Sequence, residues 1–119
     1  MPNSLSFFLT TTQMRSRSKT VTRRLRCKLK PGELFWAVVK KQGLKKGEKV
    51  ERIVLCRCLK NDPSVLNGPD LTIADVAREG FPEMSPVEFV AMFVKHMKCA
   101  ADEEVRRVAF EFVESEAAA

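Results

Sequence analysis

The sequence predicts an α+β domain whose curved sheet closes into a small barrel. Three observations carry that prediction. β-rich runs recur through the first half, at 4–9, 18–24, 34–39 and 50–59. Two helix-start signals then stand close together, at Thr72 and Ser85, and one last β-rich run occupies 105–113. The resulting order, β-α-β-β-β-α-α-β, segregates the main helices from most strands, which is the α+β pattern. At 119 residues the chain reads as one domain, 1–119, with a core over about 5–113.

Each element has its own local reason. Ser4–Leu9 (SLSFFL) is a compact apolar run and reads as the first strand. Thr10, Thr11 and Thr12 offer N-caps for a short helix to about Arg15. Ser18–Arg24 follows as a strand favoured by β-branched Thr20, Val21 and Thr22. By parity Val21 and Leu25 would face the core, with Thr20, Thr22 and Arg24 on the other side.

Lys30-Pro-Gly-Glu is a turn, because proline presets φ and glycine accepts a positive one. It leads into Leu34–Val39, which holds the only tryptophan. Trp36 is expected as a core anchor, with a base-stacking platform as the alternative. Lys40–Lys49 (KKQGLKKGEK) reads as a basic hairpin-like loop. Val50–Leu59 alternates as a long strand, Ile53 and Leu55 turning inward and Arg52 and Arg57 partly emerging.

Asn61–Leu71, with Pro63, Gly68 and Pro69, is expected to be irregular. Thr72-Ile-Ala-Asp75 is a capping box for a short helix that Gly80 ends. Ser85-Pro-Val-Glu88 is a second, with Pro86 at the first helical position. That helix should reach about Lys98, with Val87, Val90, Phe93, Val94 and Met97 as its apolar face. Val105–Val113 is the closing strand, and Glu116–Ala119 reads as a frayed end.

The net charge of +6 conceals an asymmetry: residues 1–60 carry sixteen basic and three acidic side chains, residues 61–119 five and twelve. The halves are therefore +13 and −7. A basic half points to a polyanionic partner, most simply nucleic acid. The plainer reading is a solvated surface whose two halves attract each other. No run of roughly 18 apolar residues occurs, so no membrane-spanning helix is expected. MPNSLSFFLTTT lacks a basic region ahead of its short apolar patch, which does not read as a signal peptide, and a cytoplasmic location is expected.

Cys27, Cys56, Cys58 and Cys99 are read as free thiols. A zinc site built from Cys56, Cys58, His96 and Cys99 is the competing reading, but its spacing follows no standard pattern, and buried cysteine packs as a small hydrophobe. No metal and no cofactor are expected, and nothing in the sequence names a protein partner.

The charge is densest at Arg15–Arg26 (RSRSKTVTRRLR), with five arginines and one lysine, and no acidic residue precedes Glu33. Arg15, Arg17, Arg23 and Arg24, with Lys40, Lys41, Lys45 and Lys46, are candidate phosphate contacts. Lys19, crowded by like charges that depress an ammonium pKa, is a candidate general base. Thr22 is then a candidate nucleophile, since a hydroxyl needs an adjacent base, and Glu79 a candidate proton shuttle. On an unbroken strand Lys19 and Thr22 point to opposite faces, so they converge only if Lys19 lies in the turn before it. There is no glycine-rich phosphate loop, no G-x-S-x-G and no H-E-x-x-H. His96 is the only histidine, so a two-histidine ribonuclease mechanism has no second residue.

Ser6-Phe-Phe, Lys19-Thr-Val-Thr-x-Arg24, Leu29-Lys-Pro-Gly-Glu-x-Phe, Ala77-Arg-Glu-Gly-Phe81 and Arg107-Val-Ala-Phe-Glu-Phe together resemble the ASCH domain, a relative of the PUA RNA-binding fold. The resemblance spans about residues 5–113. It implies a PUA-like pseudo-barrel of five to six strands with flanking helices, and a cleft where RNA or a modified nucleoside would bind. The family signature is a glycine, a lysine two positions on, then glutamate three and arginine five positions after the lysine. Lys19 and Arg24 match it, while Arg17 stands in the glycine slot and Thr22 in the glutamate slot. A small bacterial branch of similar proteins has threonine there and hydrolyses N4-acetylcytidine with lysine, threonine and a later glutamate. By position these are Lys19, Thr22 and Glu79. Ribonuclease activity has also been proposed in the family, so fold leaves the reaction open.

Overall fold

The structure is a computed structural model and describes residues 3–41 and 44–113. Strands β1 (Asn3–Ser6), β2 (Val21–Arg24), β3 (Leu34–Val38), β4 (Arg52–Val65) and β5 (Glu104–Phe112) form one sheet in the order β1-β3-β4-β5-β2. Helices are α1 (Thr11–Arg15), α2 (Ile73–Arg78) and α3 (Pro86–Met97), with a 3₁₀ turn at Phe8–Thr10. This is the element order the sequence predicts. The sheet curls into a half-barrel. β1 runs parallel to β3, and the other pairs are antiparallel.

The sheet order leaves β1 and β2 as its two edges, so the barrel has a seam where they approach. One side chain reaches across it: Arg24 donates to the Ser6 carbonyl at 2.6 Å. That seam is where the candidate site lies.

Packing is divided between two apolar clusters. Inside the curl, Phe7, Phe35 and Phe110 contact one another at ring distances of 5.6–6.5 Å, with Met14, Val54, Cys56, Cys58 and Val108 around them. On the helix side, Leu66, Leu71, Val76, Phe89, Phe93 and Val105 form the second cluster. The prospective zinc ligands are divided in the same way. Cys56 and Cys58 belong to the first cluster, Cys99 packs on the second, and His96 is exposed on α3.

Several local expectations are corrected. The first strand stops at Ser6 because the chain turns into the 3₁₀ segment, and Phe7 alone enters the core. The second strand begins at Val21, not Ser18; Val21, Thr22 and Arg23 are all buried there, and Leu25 lies outside it, 39% exposed. In β4 the inward face is Val54, Cys56 and Cys58, and Ile53 and Leu55 are only half-buried. β4 also runs on to Val65, through the stretch expected to be irregular. A bulge between Cys58 and Lys60 shifts its register against β5. Pro63 is tolerated because β4's pairing with β3 ends at Arg57, so beyond it the strand has a neighbour on one side only.

Trp36 is half-buried beneath Arg52, whose guanidinium carbon lies 4.5 Å from the ring centroid, and Phe35 takes the core position instead. On α3 the capping box forms in full, from Ser85 and Glu88, but the buried residues are Phe89 and Phe93. Val87 is 79% exposed. The hairpin connection between β3 and β4 is basic as expected, although Gln42 and Gly43 fall outside the described residues, as does the expected frayed end at Glu116–Ala119.

Candidate active-site cleft

Lys19 lies in the turn between α1 and β2, not in the strand. Three backbone bonds make that turn: Ser16 N–H to Thr12, Arg17 N–H to Met14 and Ser18 N–H to Gln13. Arg17 sits within it at φ 65°, the left-handed region that glycine occupies at least cost. Thr20 then fixes the segment on both sides, donating to the Arg78 carbonyl at 2.8 Å and accepting from Phe110 N–H at 3.0 Å. The parity objection to pairing Lys19 with Thr22 is thereby removed.

Glu79 reaches the same place from the opposite direction, as the residue that ends α2. Gly80 follows it. Its φ is 103°, and a Cβ there would meet Gln13 Cγ at 2.8 Å and stand 3.5 Å from Lys19 Cβ. A side chain at Gly80 would collide with Gln13 of α1, so either Gln13 or the end of α2 would have to shift.

Lys19, Thr22 and Glu79 are all buried and all line one cavity of about 170 Å³ beside the β1–β2 seam. Lys19 Nζ donates to Glu79 Oε1 at 2.9 Å and to the Glu79 carbonyl at 2.7 Å. Thr22 Oγ1 accepts from Arg24 Nε at 3.2 Å. Phe81, Phe89, Met92 and Phe93 form the apolar wall opposite. Burial lowers the Lys19 pKa, the charge of Glu79 opposes that, and Arg24 and Arg23 add to the lowering.

A larger, shallower groove of about 540 Å³ adjoins this cavity and shares Ser6, Phe8 and Arg24 with it. Lys40 and Lys41 lie along the groove. Arg24 stands between the two spaces, bonded to Thr22 and Ser6, with the Phe7 ring centroid 4.7 Å from its guanidinium carbon.

The remaining predicted contacts are dispersed. Arg15 is exposed and paired with Glu51. Arg17 donates to the Met14 and Arg15 carbonyls at 3.0 Å and lies 5.4 Å from the Phe112 ring centroid. Lys45 and Lys46 are exposed in the β3–β4 loop. Arg23 does not fit the expectation of a phosphate contact, because its side chain is completely buried between Glu79 at 2.9 Å and Asp75 at 2.6 Å. Asp75 is gripped in turn by Arg107, at 2.6 and 3.2 Å. Sequence reasoning read Asp75 only as a capping residue. Thr72 does cap its N–H, but the carboxylate turns inward to the arginines. Phe8 was also missed, as the second aromatic of a strand-like FF pair.

Solved structures that share this arrangement of strands and helices include two proteins. One is the ASCH domain from Lactobacillus crispatus, at a TM-score of 0.65 and 12% identity over 92% of this chain and 78% of that one. The chain has an ASCH-like fold. The other, a protein from Enterococcus faecalis of the DUF984 family, superposes at a TM-score of 0.61 and 15% identity, over 95% of this chain and 80% of that one. No protein-family model matches the sequence, and neither does any curated protein. Among the described residues, no helix is long and apolar enough to cross a membrane.

Proposed function

We propose that the protein binds a nucleoside, free or within RNA, in the cleft beside the β1–β2 seam and hydrolyses an N4-acyl amide there. The observation that carries this reading is the convergence of Lys19, Thr22 and Glu79 on one cavity, from two stretches of chain remote in sequence. A neutral lysine amine has two N–H groups and one lone pair. Both N–H directions are already used, toward the Glu79 carbonyl and Oε1, which leaves the lone pair to accept a proton. Burial favours that neutral form.

In the proposed reaction Lys19 takes the Thr22 hydroxyl proton while Thr22 Oγ1 attacks the acyl carbonyl carbon. Arg24 Nε, beside Oγ1, stabilises the developing alkoxide. Collapse of the tetrahedral intermediate breaks the carbon–N4 bond, and the proton passes by Lys19 and Glu79 to the leaving amine. Water then cleaves the threonyl ester and regenerates the hydroxyl. The apolar wall suits a base and its acyl group, and the polar side suits the reacting amide.

The test is N4-acetylcytidine hydrolysis by purified protein, run beside an RNA-cleavage control. Deacetylation that Thr22→Ala abolishes supports the assignment. Deacetylation by Thr22→Ala at the wild-type rate removes Thr22 from the mechanism. Cleavage of RNA without deacetylation would replace the reading by a ribonuclease.

A second reading, binding without chemistry, is favoured by one observation: Lys19 donates to Glu79, while Thr22 Oγ1 accepts from Arg24 Nε. In that case the cleft binds N4-acetylcytidine with no turnover, and binding persists in Thr22→Ala.

A further inference from the structure

We propose that the outer groove is a second subsite for a single-stranded nucleic acid, in which Phe8 stacks the base adjoining the nucleoside in the inner cavity. The inference rests on the nucleoside reading of that cavity and adds a subsite for the nucleotide beside it.

The first support is the exposure of Phe8. It is 62% exposed although its neighbour Phe7 is buried, and it borders both spaces. A largely exposed aromatic ring at the junction of two cavities is placed to stack a base, and base–aromatic stacking tolerates any base. Burial does not explain its place, since Phe8 belongs to neither apolar cluster.

Charge supplies the second. Arg24, Lys40 and Lys41 bring three cations to the groove; Lys40 also lies 3.6 Å from Glu48, and Lys41 is steadied by its bond to the Ser4 carbonyl at 3.2 Å. Of the five N–H groups of Arg24, two are used, on Thr22 and Ser6. Because Arg24 borders both spaces, the rest of its guanidinium can meet the phosphate that links a nucleotide inside to one outside.

Size is the third. The inner cavity, at about 170 Å³, falls below the usual ~300–1,000 Å³ of small-molecule sites, which suits one base with its acyl group and little more. The adjoining groove, about 540 Å³, has room for what such a base is attached to. Stacking on Phe8 needs an unpaired base, so the strand is single.

The experiment measures binding of fluorescein-labelled hexacytidylate, with cytidine monophosphate, a matched RNA duplex and poly-glutamate as competitors. The hexamer is expected to bind at least tenfold more tightly than the monophosphate. Phe8→Ala should weaken the hexamer by about 5- to 150-fold, the usual worth of one stacked base, and Phe8→Trp should restore it. Lys40→Ala with Lys41→Ala should flatten the salt dependence, from a log–log slope near about −2 for three contacted phosphates to near about −0.7 for one. Equal affinity for hexamer and monophosphate, or an unchanged Phe8→Ala, overturns the subsite. So does equal competition by duplex or poly-glutamate. Since the hexamer carries no acyl group, this result is independent of turnover. Hydrolysis of free N4-acetylcytidine without strand binding would sink the subsite alone, and strand binding without hydrolysis would sink the catalytic reading alone.

Discussion

Lys19 and Arg23 divide one carboxylate between them: Lys19 Nζ bonds Glu79 Oε1 at 2.9 Å, and Arg23 Nη1 bonds Glu79 Oε2 at 2.9 Å. All three side chains are under 5% exposed. Beyond them the charges continue to alternate through Asp75 and Arg107. A buried ion survives only with partners, so this row of five is interdependent. Arg23 is the middle member and the one with no solvent contact. It has an internal flaw, since its Nε lacks a hydrogen-bond partner among the described residues, and its Nη2, though 2.6 Å from Asp75 Oδ2, is poorly angled for a hydrogen bond.

Removing Arg23 should therefore be severe. Arg23→Met leaves Glu79 and Asp75 buried with one partner fewer each, and a loss of about 3–5 kcal/mol is expected. Urea denaturation measures it. A loss below about 1 kcal/mol would mean that the carboxylates find water or move, and that the row is not a unit.

Lys19→Arg separates binding from catalysis. An arginine keeps a positive charge for Glu79 but is not deprotonated in a protein, so it cannot serve as a base. N4-acetylcytidine hydrolysis should fall by about 10²–10⁴-fold, the usual contribution of a general base. In the wild type, kcat/KM should rise with pH along a limb set by the lowered Lys19 pKa. Retention of more than a tenth of the rate in Lys19→Arg would exclude Lys19 as the base.

Acid should unfold the protein partly through Asp75. Burial alone would raise its pKa, but the Arg107 hydrogen bonds and the Arg23 charge outweigh burial, and the net shift is downward. A folded pKa below the unfolded ~3.9 contributes stability that is present above that value and lost as pH falls through the folded one. Between about pH 5 and that lower value the wild type should lose stability that Asp75→Asn, already weaker at pH 7, no longer has to lose. Parallel denaturation series at pH 7, 5 and 3 test this. Equal acid sensitivity in the two proteins would contradict it.

Arg17→Gly and Arg17→Ala both remove the guanidinium bonds and the Phe112 contact, and only glycine relieves the backbone at φ 65°. The glycine variant should be the more stable of the two by about 1 kcal/mol. Equal midpoints in thermal or urea unfolding would show that the turn changes conformation when the side chain is lost.

Much of the architecture was legible in local chemistry. Ser85 and Glu88 marked the start of α3 because a capping box needs only four consecutive residues. Gly80 marked the end of α2, where a positive φ is required. The strand faces were less legible. In β4 the cysteines at 56 and 58 carry the buried parity, and they are weaker apolar signals than Ile53 and Leu55 beside them. Pro63 read as a break because the sequence does not reveal that β4 loses one neighbour beyond Arg57.

By itself the sequence determined the order of elements, the concentration of cations before Glu33 and the identity of Lys19, Thr22 and Glu79 as candidates, since capping, alternation and charge are local or additive properties. Only the tertiary structure decided which cations face solvent. Arg23 and Arg24 are adjacent in sequence, and on a strand adjacent side chains point to opposite faces. One is buried as the centre of an ion row, and the other crosses the β1–β2 seam between two cavities. Glu79 meets Lys19 across a sequence separation of 60, next to a glycine whose missing side chain leaves room for Gln13 of α1. That contact depends on how two remote segments pack, and no local pattern encodes it.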